Sequence, residues 1–581
     1  FTLTNLPNGF FEVTVNAQGF AKFVSPRVQV NVAQTSKVVA KMELGKSGSE
    51  IVVTAEQSVV ETESAELKSS IDRAQIMQMP LPTRNPLDLV RTMPGIVTPT
   101  TSGIADAFVH GLRGNSTNIT QDGINVADNF VKTSSFFAIS APTVDSTGEF
   151  NVSIGGIGVD AVFGAAQVNI RTQRGSNDFH GSAFWYQRTN AFNANTWFNN
   201  SNGVDASGNP VSPRPFQLQN RIGFNAGGPV YIPKVYDGRN RTFVFGTYEA
   251  FRQPLSRSRT RVVLTPSARM GNFTYTPTSG GGPVTVNLLT MPGTAGLGLN
   301  GDVMNYYNAI VPAPNTTSGC TNDGSNTQCF QFNLPGTSNQ DRYVIRGDHQ
   351  LTPNHSLEFV YTRANFSSIP DLLNGIEPNF PLATGGGQIS KREVYSAAWH
   401  SSWGANKTNE VRFGLQRAPV AFDLFEDYAA TGGYQLNLPL VTDPTLVQGN
   451  LPQGRNTPVR QLMNNFAWSK GSHLWRFGGE WRLVLADSFF FNTVVPSVAI
   501  GSTASNSDGI TAGDFTPFGD ISSGDLSRAR NIYQILTGLV SSVTQGFNHT
   551  SPTSGFVAGQ PRTVDPIQHN LSGYFQDQWK M

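Results

Sequence analysis

The stretch FNVSIGGIGVDAVFGAAQVNIRTQRGSNDFHGSAFWYQRTNAFNANTWFNN, residues 150–200, decides how the rest of the chain is read. It opens Gly-rich, with Val and Ile scattered among the glycines. A short strand is expected at 167–172, a polar turn at 174–178 (RGSND) and an aromatic strand at 181–188 (GSAFWYQR). A cluster of turn residues between two strand-like runs marks a reversal of the chain. Upstream of the turn the segments are short and mixed, as in a small soluble domain. Downstream they are long amphipathic hairpins. Residues 174–178 are therefore the joint between two kinds of structure.

Alternation is clearest downstream. Val411, Phe413 and Leu415 alternate with Glu410, Arg412, Gly414 and Gln416. Leu357, Phe359 and Tyr361 alternate with Glu358, Val360 and Thr362. Trp475, Phe477 and Trp481 alternate with Arg476, Gly478, Glu480 and Arg482. Each strand thus has one apolar, aromatic face and one polar or charged face. A soluble sandwich turns the apolar face inward. A membrane barrel turns it to lipid and keeps the charged face in the lumen. Period alone does not choose; connection length does. Short turns at 233–240, 352–355, 402–408 and 470–473 alternate with long polar loops near 190–216, 254–339, 365–390, 418–456 and 486–570. Short turns on one side and long loops on the other are the pattern of an outer-membrane barrel. This places Phe413 and Trp475 against lipid, and Arg412 and Arg476 in the lumen. About ten strands are expected, the last at 571–580. A barrel that encloses a domain needs roughly 22, so more barrel is expected after residue 581. Within the last loop, 527–538 (SRARNIYQILTG) is helix-like.

Composition agrees. The chain has 581 residues, 41 Lys+Arg against 40 Asp+Glu, and only 14% charged residues. An average soluble domain has about 25%. Gly (58) and Phe (39) are abundant, which suits a barrel facing lipid or a secreted all-β protein. A net charge of +1 implies no polyanionic partner, nucleic acid included. There is no run of about 18 apolar residues, so no membrane-spanning helix is expected; barrel strands escape that criterion. The chain begins at Phe1 within a strand-like pattern and shows no signal peptide, so residues ahead of it are expected.

Cys320 and Cys329 lie in GCTNDGSNTQCF. Their spacing suits a loop disulfide in an oxidising compartment. The alternative is a metal site, but no further Cys or His lies near. The eight His residues are scattered without ligand spacing. No HExxH, GxSxG or paired-carboxylate cluster stands out, so no enzyme, metal site or cofactor is expected. Arg346-Gly347-Asp348 is an adhesion tripeptide, but it sits inside an expected strand.

Upstream, residues 1–44 alternate as the last strands of a small β-sandwich. Gly/Ser-rich 45–49 is a linker. Glu50, Ile51, Val52, Val53, Thr54 and Ala55 follow it. Ile51–Thr54 are all β-branched, which favours an extended strand. No neighbour is expected to pair with it, so it is a donor for strand addition to another protein's sheet; the alternative is one more sandwich strand. Short helices are expected at 71–77 and 86–92, the second opening on Pro86. Residues 118–126 (NITQDGINV) form a hairpin about Asp122-Gly123, a dipeptide that tight primed turns favour.

Four segments together carry a family resemblance: LPTRNPLDLVRTMPGIV (81–97), VHGLRGNSTNITQDGINVAD (109–128), VNIRTQRGSNDFHGSAFWYQRTNAFNANTWF (168–198) and GGPVYIPKVYDGRNRTFVFGTYEAFR (227–252). In this order they resemble Oar-like TonB-dependent receptors, outer-membrane proteins with an added N-terminal β-sandwich. Residues 1–45 resemble the end of a carboxypeptidase-regulatory-like domain. One departure is that Ala165 and Ala166 stand after Gly164, where the family commonly has further glycines.

The resemblance implies a mainly β chain: a partial transmembrane antiparallel β-barrel (176–581), an N-terminal α+β plug (61–175), a linker (46–60) and a β-sandwich remnant (1–45). It identifies Glu50–Ala55 as resembling a TonB box. It marks Arg84, Asn85, Pro86, Gly111, Arg113, Gly114, Asp122 and Gly123 as plug motif residues. Its implied partners are a TonB-type periplasmic energising protein, outer-membrane lipid and a solute: oligosaccharide, peptide or metal chelate. The implied place is the outer membrane of a Gram-negative-type bacterium, and the implied activity is energised uptake. A surface adhesin or structural β-protein and a secreted carbohydrate-active enzyme are the other readings.

Overall fold

The computed structural model describes residues 9–30, 36, 38–44, 50–52, 67–81, 83–98, 104–112, 117–131, 134, 136–140, 142–154, 159, 164, 166–201, 203–205, 207–210, 212–383, 385–404, 406–424, 433–444, 452–491 and 493–579. Near the N-terminus, β1 (Gly9–Val15) and β2 (Lys22–Val30) are antiparallel, and β3 (Glu50–Val52) runs parallel to β2. The expectation that Glu50, Ile51 and Val52 lack a neighbour is therefore corrected. They form a three-residue edge strand, because β-branched residues find a ladder in β2. Val53, Thr54 and Ala55 lie outside the described residues, as do Arg113 and Gly114.

The second unit is a five-stranded sheet in the order β4 (Leu67–Asp72), β7 (Thr147–Ile154), β8 (Ala166–Thr172), β5 (Thr117–Gln121), β6 (Ile124–Asn125). Only β8 and β5 pair in parallel. Helix α1 (Arg73–Gln78) starts two residues later than expected, because Asp72 caps it and the residues before it join the sheet. Pro86–Thr92 is a 3₁₀ helix capped by Asn85, whose Oδ1 accepts from Leu87 N–H at 3.1 Å. Ile76, Leu87, Val90, Ile119, Phe150 and Val168 are among the core residues between helices and sheet.

The third unit is a wall of ten antiparallel strands, each paired with its sequence neighbour. They are β9 (His180–Thr189), β10 (Leu218–Pro229), β11 (Thr242–Leu264), β12 (Thr327–Thr352), β13 (His355–Ser368), β14 (Gly386–Trp403), β15 (Lys407–Arg417), β16 (Val459–Lys470), β17 (His473–Leu485) and β18 (Ile567–Trp579). The alternation resolves into faces as expected. Phe413 is 51% exposed on the outer face, while its neighbour Arg412 is fully buried on the inner one. Trp475 lies on the outer face, edge-on to Trp468. Arg476 pairs with Ala467 and Gln576 on the inner face.

Two strands run further than expected. β11 and β12 stay in unbroken register from Thr242–His349 to Leu264–Thr327, so the connection is 265–326, not 254–339. At about 3.4 Å per residue, 26 residues reach far past a hydrocarbon core of about 30 Å. The extra length mixes polar residues with turn residues such as Pro254, Pro335 and Gly336 and reads as loop, yet the backbone ladder continues through it and its outer end, Val263 and Leu264, is buried in the apolar core formed by the long connections.

On the long-loop side the connections fold together. Helices α2 (Gly301–Ile310) and α3 (Ser523–Thr537) join a hairpin (Asn272–Tyr275 with Val284–Asn287) and a small sheet (Gln435–Asn437, Ser497–Ile500, Val540–Thr544). Tyr307, Phe273, Phe515, Ile532, Tyr533 and Leu536 are fully buried in their shared apolar core. Ser522 caps α3, and Gly538 ends it at φ +64°, a left-handed conformation that glycine adopts without strain. These elements together form an outer cap; Cys320 of the connection 265–326 is disulfide-bonded to Cys329 on β12.

Candidate functional site

The plug sheet meets the wall at the Asp122-Gly123 turn. Both residues have positive φ, +48° and +79°, as a tight primed hairpin turn demands. Only glycine fits the second position: a Cβ there would lie 2.6 Å from Arg412 Cδ. The wall yields in the same way, since a Cβ on Gly414 would lie 2.0 Å from Ile124 Cδ1. Turn and wall approach each other closely because each has a glycine where they touch.

That approach puts plug backbone within reach of polar wall side chains. The Asp122 carbonyl accepts from Arg412 Nη1 and from Ser396 Oγ, each at 2.9 Å. The Gly123 carbonyl accepts from Gln461 Nε2 at 3.2 Å, and Asn125 N–H donates to Gln461 Oε1 at 3.0 Å. Gln121 Nε2 donates to Thr362 Oγ1 at 2.9 Å. Arg346 Nη1 donates to the Thr172 carbonyl at 2.8 Å. Inside the plug, the Asp122 carboxylate accepts from Thr172 N–H at 2.9 Å and Thr172 Oγ1 at 2.6 Å, tying β8 to the turn. Burial pushes the Asp122 carboxyl above its ordinary range; Arg346 pulls it the other way.

Beneath the turn lies a chain of alternating charges. Glu358 takes Arg412 at 2.7 Å and Arg346 at 2.8 Å, with Arg171 of the plug at 3.7 Å. Arg412 also holds Glu410 at 2.8 Å, and Arg346 holds Asp348 at 2.9 Å. Arg174, in the joint, reaches Asp348 at 3.5 Å. Each charge has at least one opposite partner, and Arg412, Arg346, Glu358, Glu410 and Asp348 are also hydrogen-bonded to one another, the condition under which buried ions are tolerated. Removing one partner strands the others.

The plug motif residues fall in different places. Asp122 and Gly123 form the seat just described. Arg84, at φ +52°, pairs with Asp145 at 2.6 Å and lies 3.9 Å from the centre of the Tyr186 ring on β9. Asn85 and Pro86 start a helix. Gly111 takes φ +73° in a turn. Arg346 and Asp348, set aside as part of an adhesion tripeptide, are buried in the lumen. Glu358, Ser396, Gln461 and Thr362 are seat residues that sequence reasoning missed. A signal was available only for their charged partners: opposite charges at i and i+2 share a strand face, as in Arg346/Asp348 and Glu410/Arg412.

Among the described residues, no helix is long and apolar enough to cross a membrane, which says nothing of strands. No group of three or more metal-ligating side chains occurs among them either.

Comparison with known proteins places this architecture. Residues 61–162 match the model described as TonB-dependent Receptor Plug Domain, and residues 171–581 the model described as Outer membrane beta barrel domain. No curated protein sequence matches the chain. Among solved structures, the outer membrane transporter YddB from Escherichia coli is similar at 9% identity and a TM-score of 0.49, covering 88% of this chain and 54% of that one. The ferripyoverdine receptor of Pseudomonas aeruginosa is similar at 11% identity and a TM-score of 0.45, covering 98% and 55%. The siderophore receptor PirA from Acinetobacter baumannii is similar at 12% identity and a TM-score of 0.40, covering 77% and 51%. The chain thus spans about half the length of the solved receptors it matches. With a plug domain seated against an outer-membrane β-barrel domain, and the barrel model matching well over half its length, the chain belongs to the TonB-dependent receptor family of the outer membrane.

Proposed function

We propose that the full receptor, of the Oar-like type with a carboxypeptidase-regulatory-like domain ahead of its plug, imports a bulky or scarce solute across the outer membrane. The solute class is oligosaccharide, peptide or metal chelate. A TonB-type periplasmic protein grasps Glu50–Ala55 and its pull loosens the plug. The observation that carries the reading is the character of the seat. Beside the apolar contacts of Ile124 at Gly414 and of Val394 with the plug core, its contacts are hydrogen bonds and ion pairs that water can replace one at a time, so the plug is held in place yet releasable. The short edge strand β3 supports it too: three residue pairs along one side of β2 are a weak tether. An adhesin has no need of a domain seated in a barrel.

The test locks the seat. Ile124→Cys with Gly414→Cys in the full-length receptor brings two thiols together where side chain and backbone now touch. Uptake should stop on oxidation and return on reduction, with solute binding unchanged throughout. Uptake that continues through the locked state would exclude plug release as the mechanism. A companion pair tests the pull. Proline removes a backbone donor and fixes φ, so Val53→Pro should abolish uptake, while Val53→Ala should leave it near normal because strand addition relies on backbone.

A further inference from the structure

On the long-loop side of the seat, a second row of residues crosses the lumen face. Glu249 on β11 pairs with Arg342 on β12, Arg342 with Ala364 on β13, and Ala364 with Arg392 on β14. Direct cross-strand partners share a face about 5 Å apart, so the two arginines start roughly 10 Å apart and flank a methyl group. Their charges are not balanced. Glu249 is already held by Arg221 at 2.8 Å, and Arg342 reaches that same oxygen only at 3.8 Å. Arg342 Nε and Nη1 are buried with no hydrogen-bond partner. Arg392 forms no ion pair among the described residues. Its Nη1 donates to the plug carbonyl of Ile139 at 3.0 Å, its Nε to Ser390 Oγ at 3.2 Å, and it lies 6.0 Å from the Phe366 ring centre. The seat matches every arginine with acids; this row leaves two under-matched.

A buried guanidinium without a counter-charge is unfavourable unless something that binds there supplies one. Arginine's planar fork of donors suits oxyanions such as carboxylate, phosphate or sulfate. Glu249's face of β11 continues outward through Arg257, which is exposed and forms no ion pair among the described residues. The outer part of this face thus carries one further arginine without an ion pair among the described residues.

We propose that Arg342 and Arg392, either side of Ala364, form an anion subsite in the lumen just above the plug, which binds an oxyanion group of the incoming solute. Assigning the anion to the solute rests on the import reading; the subsite does not.

Gln340 shares the lumen face with Arg342, two residues away, and is half-buried. With Cys320 and Cys329 disulfide-bonded, Gln340→Cys adds one reporter thiol to the detergent-purified full-length receptor, read against the same receptor without the substitution. With each rate normalised to that reagent's rate with a small free thiol, the negatively charged sulfonatoethyl methanethiosulfonate should modify the reporter thiol about ten-fold faster than the positively charged trimethylammonioethyl reagent, the scale on which a local potential concentrates counter-ions. Arg342→Gln with Arg392→Gln should bring the ratio to about one, whereas Arg392→Lys should keep most of it. A second readout needs no cysteine: inorganic pyrophosphate should raise the melting temperature of the unmodified receptor but not of the double glutamine variant. Equal normalised rates for both reagents, a ratio unmoved by the double substitution, or no pyrophosphate shift would each overturn the subsite. None of these measurements reads uptake, so the import proposal stands or falls separately.

Discussion

The plug seat and the outer cap are held together by opposite means. In the seat, Arg412, Glu358, Arg346 and Glu410 are ion-paired, and most plug contacts end on backbone carbonyls. In the cap, Phe273, Tyr307, Phe515 and Tyr533 pack into a continuous apolar core, with Phe515 edge-on to Tyr275 at 5.4 Å between ring centres. An apolar core has no substitute partner in water, so it opens only as a whole. A polar seat can exchange each bond for one to water. The difference separates a region built to remain folded from one that can be released without unfolding its surroundings.

Breaking each region by its own chemistry gives the largest effects. Arg412→Leu leaves Glu410 with only His400 at 3.5 Å, takes one of the arginines from Glu358 and should cost about 3–5 kcal/mol, measured as earlier plug release in denaturant. Phe515→Ala should cost about as much, 3–5 kcal/mol, but only in the cap, with the seat's melting unchanged. If both substitutions loosened both regions, cap and seat would be a single cooperative unit and the contrast would fail.

A smaller effect tests the face between them. Phe413→Arg puts a charge on the lipid side and should cost about 2–4 kcal/mol near the bilayer midplane, read by folding into lipid vesicles. Arg412→Phe changes the lumen side instead. Equal, small effects for the two would contradict the assignment of faces.

The smallest effect separates the regions by pH. Burial raises the Asp443 carboxyl in the cap to about 6, while its side chain accepts the Leu438 N–H. The folded cap then holds this proton more tightly than the unfolded chain does. Its contribution is fully present below about pH 4 and is lost as pH rises through about 6. Cap melting should fall across that window, and Asp443→Asn should flatten the fall. A profile unchanged by the substitution would remove Asp443 as its cause.

Much of the wall was legible because strand alternation is local. The pleat sends successive side chains to opposite faces, so Phe413 outward and Arg412 inward follow from their order along one strand. The turns followed from residue chemistry: Asp122-Gly123 and Asn85-Pro86 each prefer the geometry they adopt. Propensity misled where context outweighed it. Residues 254–264 and 327–339 looked like loop because Pro254, Pro335, Gly336 and many polar residues interrupt the alternation, yet backbone pairing carries the hairpin on. Glu50–Val52 looked unpaired because β2 lies far off in sequence.

By itself, then, the sequence determined a mainly β chain with a jointed plug and wall, the face each wall residue takes and the tight turn at Asp122. Only the tertiary structure decided which lumen residues meet. Asp122 and Arg412 lie 290 positions apart, and Arg342 and Arg392 share a row only through the register of three strands. It also decided that separate polar-looking loops bury one apolar core. The reason is physical: a pleat fixes direction within a strand, whereas partners across a lumen depend on register, strand order and the depth at which the plug sits, and no short stretch of sequence encodes these.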